Sequence, residues 1–307
     1  MSIQDYIEEY SKKKSITSTY TKKSISSNIK RVEKSIGIKF ENWKESDFKN
    51  VEKVVDNLVE DYSLNSVLVS ISTIKSWLMY HEASEELIKE YNNVVNDLAK
   101  EKDNLVDSQK KSKDEEDLGE DFDWKILTEK SRKFIEKNLP TKDKTKLRGL
   151  LILGLFSLQE PTRIGNYLDM EYRKMKSGES LPKDKNYLIN NNGKFKFIFN
   201  TYKTSKYLGQ VVLPVEDELL TKLLTDYSEF LKNKDIVFGQ SSSNISFILK
   251  NITKHFLKTG ISLNPFRHSY LTWFLKQNPS INEKQRVARI IGQKYTIPRM
   301  EKYSRID

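Results

Sequence analysis

The chain has 307 residues, with 53 lysines and arginines against 43 aspartates and glutamates, a net charge of +10 and no cysteine. Disulfides, thiolate nucleophiles and cysteine-based zinc sites are therefore excluded, and three scattered histidines (His81, His255, His268) argue against a histidine-rich metal centre. A mean hydropathy of −0.65 demands a heavily charged surface around whatever core forms, and the positive balance favours a polyanionic partner.

Residues 1–95 are expected to form a helical domain. Ser2–Tyr10 is amphipathic, with Ile3, Tyr6 and Ile7 on one face. After a polar step at Ser15–Ser18, the stripe Ile25, Ile29, Val32 and Ile36 predicts a helix over Thr19–Ile36, whose other face carries Lys22, Lys23, Lys30 and Arg31. Asp47–Tyr62 and Leu64–Tyr80 are two further helices, the second with Asn65 as its expected N-cap and Leu68, Ile71, Ile74 and Leu78 turned inward. Lys100–Asp121 is a charge run with few apolar residues, so residues 96–123 are expected to be a charged linker, helical at most in its first part.

Residues 124–307 read as a second domain, mostly helical. Trp124–Asn138 has a helical pattern, and Lys146–Gln159 is apolar nearly all round, the mark of a helix buried mid-domain. Pro161 and Thr162 break it, and Arg163–Met170 is expected to start a new helix. Tyr187–Asn190, Lys194–Asn200 and Gln210–Leu213 alternate as strands, with turns at Asn191–Gly193 and Thr204–Gly209, predicting a three-stranded antiparallel sheet. Glu216–Leu231, Ser243–Leu257, Pro265–Lys276 and Asn282–Ile291 complete the helices. The fold class is thus mainly α with one small sheet. No apolar run is long enough to span a membrane and the first residues lack a signal-peptide core, so a soluble, intracellular protein is expected.

Four boxes could carry chemistry. They are Pro-Thr-Arg-Ile-Gly-Asn-Tyr-Leu-Asp-Met at 161–170, Tyr-Lys-Thr-Ser-Lys at 202–206, Asn-Pro-Phe-Arg-His-Ser-Tyr at 264–270, and Ile-Gly-Gln at 291–293 with Tyr303 ten residues beyond Gln293. In order and spacing they resemble the tyrosine recombinases, the integrase family that includes the Xer recombinases and Cre. The resemblance spans Trp124–Arg305, and the N-terminal helices resemble the family's core-binding domain more loosely. It implies a mostly helical DNA breaking-and-rejoining fold with Tyr303 as nucleophile, Arg163 and Arg267 on the phosphate, and Lys203 as general acid, with Lys206 as its rival and Tyr295 as the rival of Tyr303. It implies no cofactor and no metal.

Two positions depart from the family pattern. Asn264 stands where the family has a histidine, and Gln293 where it has a histidine or tryptophan. Asn264 before Pro265 also reads as a helix N-cap, and His268 as a packed side chain. Double-stranded DNA is the implied partner, with Lys22, Lys23, Lys30, Arg31, Thr73, Lys75, Ser76 and Lys206 as candidate contacts. A homo-oligomer is implied, a dimer on a site and a tetramer in synapsis. The function expected from the resemblance is site-specific recombination or integration, as in a mobile element, phage or virus, acting in the cytoplasm or wherever its target DNA resides, the nucleus or a viral factory included. The alternatives are a DNA-binding protein of the same fold, or a type IB topoisomerase or telomere resolvase.

Overall fold

The computed structural model describes residues 1–108, 110–175 and 180–292, without the side chains of residues 20, 106 and 107. The chain divides into two compact units, Met1–Ser108 and Gln109–Asp307, each with its own hydrophobic core. Among the described residues no helix is long and apolar enough to cross a membrane.

The first unit is helical: α1 (Ile3–Lys13), α2 (Thr19–Ile36), α3 (Val51–Asp61), α4 (Leu64–Tyr80) and α5 (Glu85–Asp107). Gly37 ends α2 in the left-handed region (φ 74°), where a residue without Cβ is unstrained. Helix α4 is central, packing on α2, α3 and α5 and burying Val67, Ile71, Ile74 and Leu78. An aromatic cluster of Tyr6, Phe40, Trp43, Phe48 and Trp77 closes the core, with ring centroids 4.8–5.6 Å apart in tilted or edge-on pairs. The N-cap of α4 is Ser63 and not Asn65. The Asn65 amide instead takes a hydrogen bond from Lys102 on α5.

The second unit holds α6 (Lys113–Leu118), α7 (Trp124–Asn138), α8 (Lys144–Ser157), β1 (Glu171–Lys174), β2 (Tyr187–Asn191), β3 (Lys194–Phe199), α9 (Ser205–Leu208), β4 (Val211–Pro214), α10 (Glu218–Ser228), α11 (Ser242–Thr253), α12 (Leu263–Lys276) and α13 (Ile281–Ile290). Helix α8 is buried without a break from Gly149 to Ser157 and packs on α7, α10, α11 and α12, as its all-round apolar pattern requires. Asp143 caps it by accepting from the Thr145 and Lys146 amides, which holds its carboxyl below the usual carboxylate range.

Three expectations need correction. The sheet has four strands in the order β1-β2-β3-β4, and β1 runs parallel to β2, so it is mixed and not a three-stranded antiparallel one. Strand β1 reads Glu-Tyr-Arg-Lys, and its charges hid it; Glu171 is buried there because Arg173 and Lys185 both pair with it. The helix expected at Arg163–Met170 is only a 3-10 turn, Ile164–Asn166, since the Asn166 side chain turns back to the Thr162 hydroxyl. The segment 96–123, expected as a linker helical at most in its first part, is helical there, as the end of Glu85–Asp107, and again over Lys113–Leu118. Its Glu115, Leu118 and Phe122 are buried in the second unit, where Glu115 pairs with His268 on α12. His268 is thus a packed, paired side chain.

Candidate active site

The site grows from the C-terminal end of α8. Pro161 and Thr162 are buried, and Arg163 follows in extended conformation (φ −76°, ψ 142°) as the residue before the 3-10 turn. That turn is fixed by a relay of buried amides. Asn166 donates to Thr162 Oγ1 (2.6 Å), and its own carbonyl accepts from Asn186 Nδ2 (2.9 Å). Asn186, 6% exposed, also donates to the Thr201 carbonyl (2.8 Å) and accepts from the Asn200 and Thr201 amides (2.8 Å each). One side chain therefore joins the turn bearing Arg163 to the start of the loop bearing Lys203.

That loop connects β3 to β4 and contains the short α9. Tyr202 closes it by donating to the Gly209 carbonyl (2.7 Å), and Lys203 and Lys206 are both exposed on it. Two contacts dock it on the C-terminal end of α13. Arg289 forks onto the Leu208 carbonyl through Nε (3.1 Å) and Nη2 (2.9 Å), and Thr204 Oγ1 donates to the Gly292 carbonyl (3.0 Å).

Arg267, on the second turn of α12 and 8% exposed, donates from Nη2 to the Ile291 carbonyl (3.0 Å). Arg163 reaches the same step from the other box: a Cβ built on Gly292 would lie 3.4 Å from Arg163 Nε and 3.6 Å from its Cδ. Arg163 Nε is buried and has no hydrogen-bond partner among the described residues. Two guanidiniums thus flank the Ile291–Gly292 step, with the Lys203 loop hydrogen-bonded to the same step. Such a set of forked donors in a partly dry setting can hold an anion bidentately.

Gly292 is required there. It ends α13 in the left-handed region (φ 71°), its amide donates to the Arg289 carbonyl, and a side chain would press on Arg163. Gly292→Ala is expected to cost about 1–2 kcal/mol from backbone strain, read as a lowered urea midpoint, and to displace Arg163.

Of the other candidates, Asn264 is not an N-cap. Helix α12 begins at Leu263 with Ser262 before it, and Asn264 is exposed in the first turn. Gln293, Tyr295 and Tyr303 lie outside the described residues.

In the first unit, Lys22 and Arg31 are half-buried on α2, while Lys23 and Lys30 are exposed. Arg31 is oriented by Asn28 (2.7 Å), whose amide donates to Thr73 Oγ1 (3.3 Å). Thr73 itself is 7% exposed, and its hydroxyl donates to the Val69 carbonyl, so it supports Arg31 from the core and is not a surface contact. Ser76 likewise donates back to the Ser72 carbonyl, and Lys75 is tied to Asn92 on α5. Sequence reasoning missed Asn186 and Arg289, and quoted Thr204 in its box without a role. Nothing in the Asn-rich run around 186 or in the periodicity of α13 marks them.

No family model matches the chain, and no curated protein matches it. Among solved structures it is similar to one described as the crystal structure of XerA recombinase, at 12% identity and a TM-score of 0.38, covering 99% of this chain and 94% of that one. At that level of similarity the likeness adds nothing to the geometry of the site.

Proposed function

We propose that the chain breaks and rejoins DNA strands as a tyrosine recombinase. Tyr303 attacks a phosphodiester, giving a 3′-phosphotyrosyl link and a free 5′-hydroxyl, so that rejoining needs no external energy source. Arg163 and Arg267 hold the non-bridging oxygens as negative charge grows on them, each contributing about 3–4 kcal/mol. Lys203 protonates the leaving 5′ oxygen, a role contributing roughly 10²–10⁴ in rate. Asn264 and Gln293 serve as hydrogen-bonding partners of the phosphate. The basic face of α2 (Lys22, Lys23, Lys30, Arg31) and Lys206 on α9 neutralise duplex phosphates, so that affinity falls steeply with salt. Copies of the chain assemble on paired sites.

The observation that carries this reading is the convergence of separate boxes on one backbone step. Arg267 bonds to Ile291, Arg163 lies against Gly292, and Thr204, next to Lys203, bonds to Gly292. Residues far apart in the sequence meet at one step, and two of them, Arg163 and Arg267, are the residues that the resemblance implies hold the phosphate. A second reading, binding without cutting, is favoured by Asn264, an exposed amide that cannot act as a base where the resembled family has histidine.

Incubation with nicked suicide duplexes bearing candidate sites separates the two. A covalent protein–DNA adduct is expected with the wild type and not with Tyr303→Phe. Tight binding to a duplex with no adduct on its nicked form would leave only the binding reading.

A further inference from the structure

The second unit carries a groove of about 670 Å³ at the opposite end of α8 from the candidate site. It is lined by the start of α8, the end of α7 and one face of α11. Lys146 on its rim lies about 16 Å along the helix axis from Ser157, at the 1.5 Å rise of an α-helix. Its floor is apolar, with Phe134, Leu150 and Ile252, and beside it stands Phe247, 63% exposed despite its size. Its rim is cationic, with Lys137, Lys146 and Arg148, and His255 lies stacked near Phe134 at 6.2 Å and 9°. Arg148 Nε is buried and has no hydrogen-bond partner among the described residues.

Among the described residues no carboxylate lines this groove, although 43 of 307 residues are acidic. Three other cavities of the same unit all include carboxylates, such as Asp123, Asp226 and Glu160. An exposed phenylalanine beside an apolar floor marks an interaction surface, and a rim whose charged groups are Lys137, Lys146 and Arg148, among neutral Asn and Thr side chains, favours a negatively charged partner. Nucleic acid would use the cations but leave the floor and Phe247 facing water, whereas a peptide with an apolar anchor and flanking carboxylates uses both.

We propose that this groove docks a short acidic segment of a partner protein, anchored by an aromatic or branched aliphatic side chain between Phe134 and Phe247, with its carboxylates on Lys146 and Arg148. The proposal is independent of the cleavage chemistry, since no residue of the groove belongs to the candidate site.

The test uses the full chain as bait for a phage-displayed random peptide library, followed by fluorescence anisotropy with the enriched peptides as labelled probes. Enriched peptides are expected to combine carboxylates with a large apolar residue. Affinity should fall at least about tenfold in Lys146→Glu and in Phe247→Ser. Phe247 is largely exposed, so Phe247→Ser is expected to keep the wild-type melting temperature, and a melt of each variant separates lost binding from lost folding.

Peptides without acidic bias, no enrichment, or affinity unchanged in a folded Phe247→Ser variant would overturn the proposal. So would two further results: loss of duplex-DNA affinity in Lys146→Glu with peptide binding intact, which would assign the rim to nucleic acid, or a sedimenting dimer abolished by Phe247→Ser, which would assign the floor to a second copy.

Discussion

Arg163→Ala is expected to slow covalent adduct formation on a nicked duplex by about 10²–10³-fold while leaving the folding of the chain nearly unchanged. The separation follows from its contacts. The arginine is half-buried against Gly292, yet among the described residues its Nε makes no hydrogen bond. Its removal therefore costs some packing and no buried partner. Arg267→Ala should behave differently, because its Nη2 holds the buried Ile291 carbonyl at 3.0 Å. That carbonyl would lose its partner, at about 1–3 kcal/mol of stability, on top of the loss in rate. Paired urea melts and single-turnover adduct assays read the two effects apart. Arg163→Ala reacting at the wild-type rate, with its melt unchanged, would remove Arg163 from the proposed phosphate site.

How much of this was legible beforehand depended on whether a feature is local. Thr19–Ile36, Leu64–Tyr80 and Trp124–Asn138 declare themselves through apolar stripes at helical spacing, and the structure has helices at those bounds. Strand β1 could not be read, because three charged residues around a single tyrosine form a strand only once β2 pairs with them and Arg173 and Lys185 neutralise Glu171. Residues 112–122 carry the composition of a solvated linker. The burial of Glu115 rests on His268, 153 residues away, which no local pattern reveals. Asn264 before Pro265 mimics an N-cap, yet the helix starts earlier, at Leu263, with its proline inside the first turn where a missing N–H costs nothing. The four boxes were legible only as an ordered set. That Arg163, Thr204 and Arg267 meet at the Ile291–Gly292 step is a tertiary fact.

Asn186 carries the largest expected effect on stability, although no box contains it. Its amide donates to two backbone carbonyls, of Asn166 and Thr201, and its oxygen accepts from two backbone amides, of Asn200 and Thr201. Asn186→Ala leaves all four groups without this partner. Thr201 is exposed enough to regain water, but the Asn166 end is buried, so the expected cost is about 2–4 kcal/mol, read as a lowered urea midpoint. The same loss uncouples the Arg163 turn from the Lys203 loop. The fraction that still folds should form adduct about 10²-fold more slowly, as misplacement of reacting groups by an ångström does.

Asn186→Asp tests the donor half of the arrangement. Its oxygens can still accept from the Asn200 and Thr201 amides, but a carboxylate would then face two carbonyls. The two amide donors favour the carboxylate, but burial and the two facing carbonyls disfavour it more, so the folded-state pKa is expected above the unfolded value and its contribution, present below the unfolded pKa, is lost as pH rises through the folded one. The deficit of Asn186→Asp relative to wild type should therefore grow from about pH 4 to about pH 7. The deficit of Asn186→Ala, which lacks a titrating group, should stay level over that range. Parallel pH profiles for the two variants would show that the amide's donation to the Asn166 and Thr201 carbonyls is not what holds the two loops together.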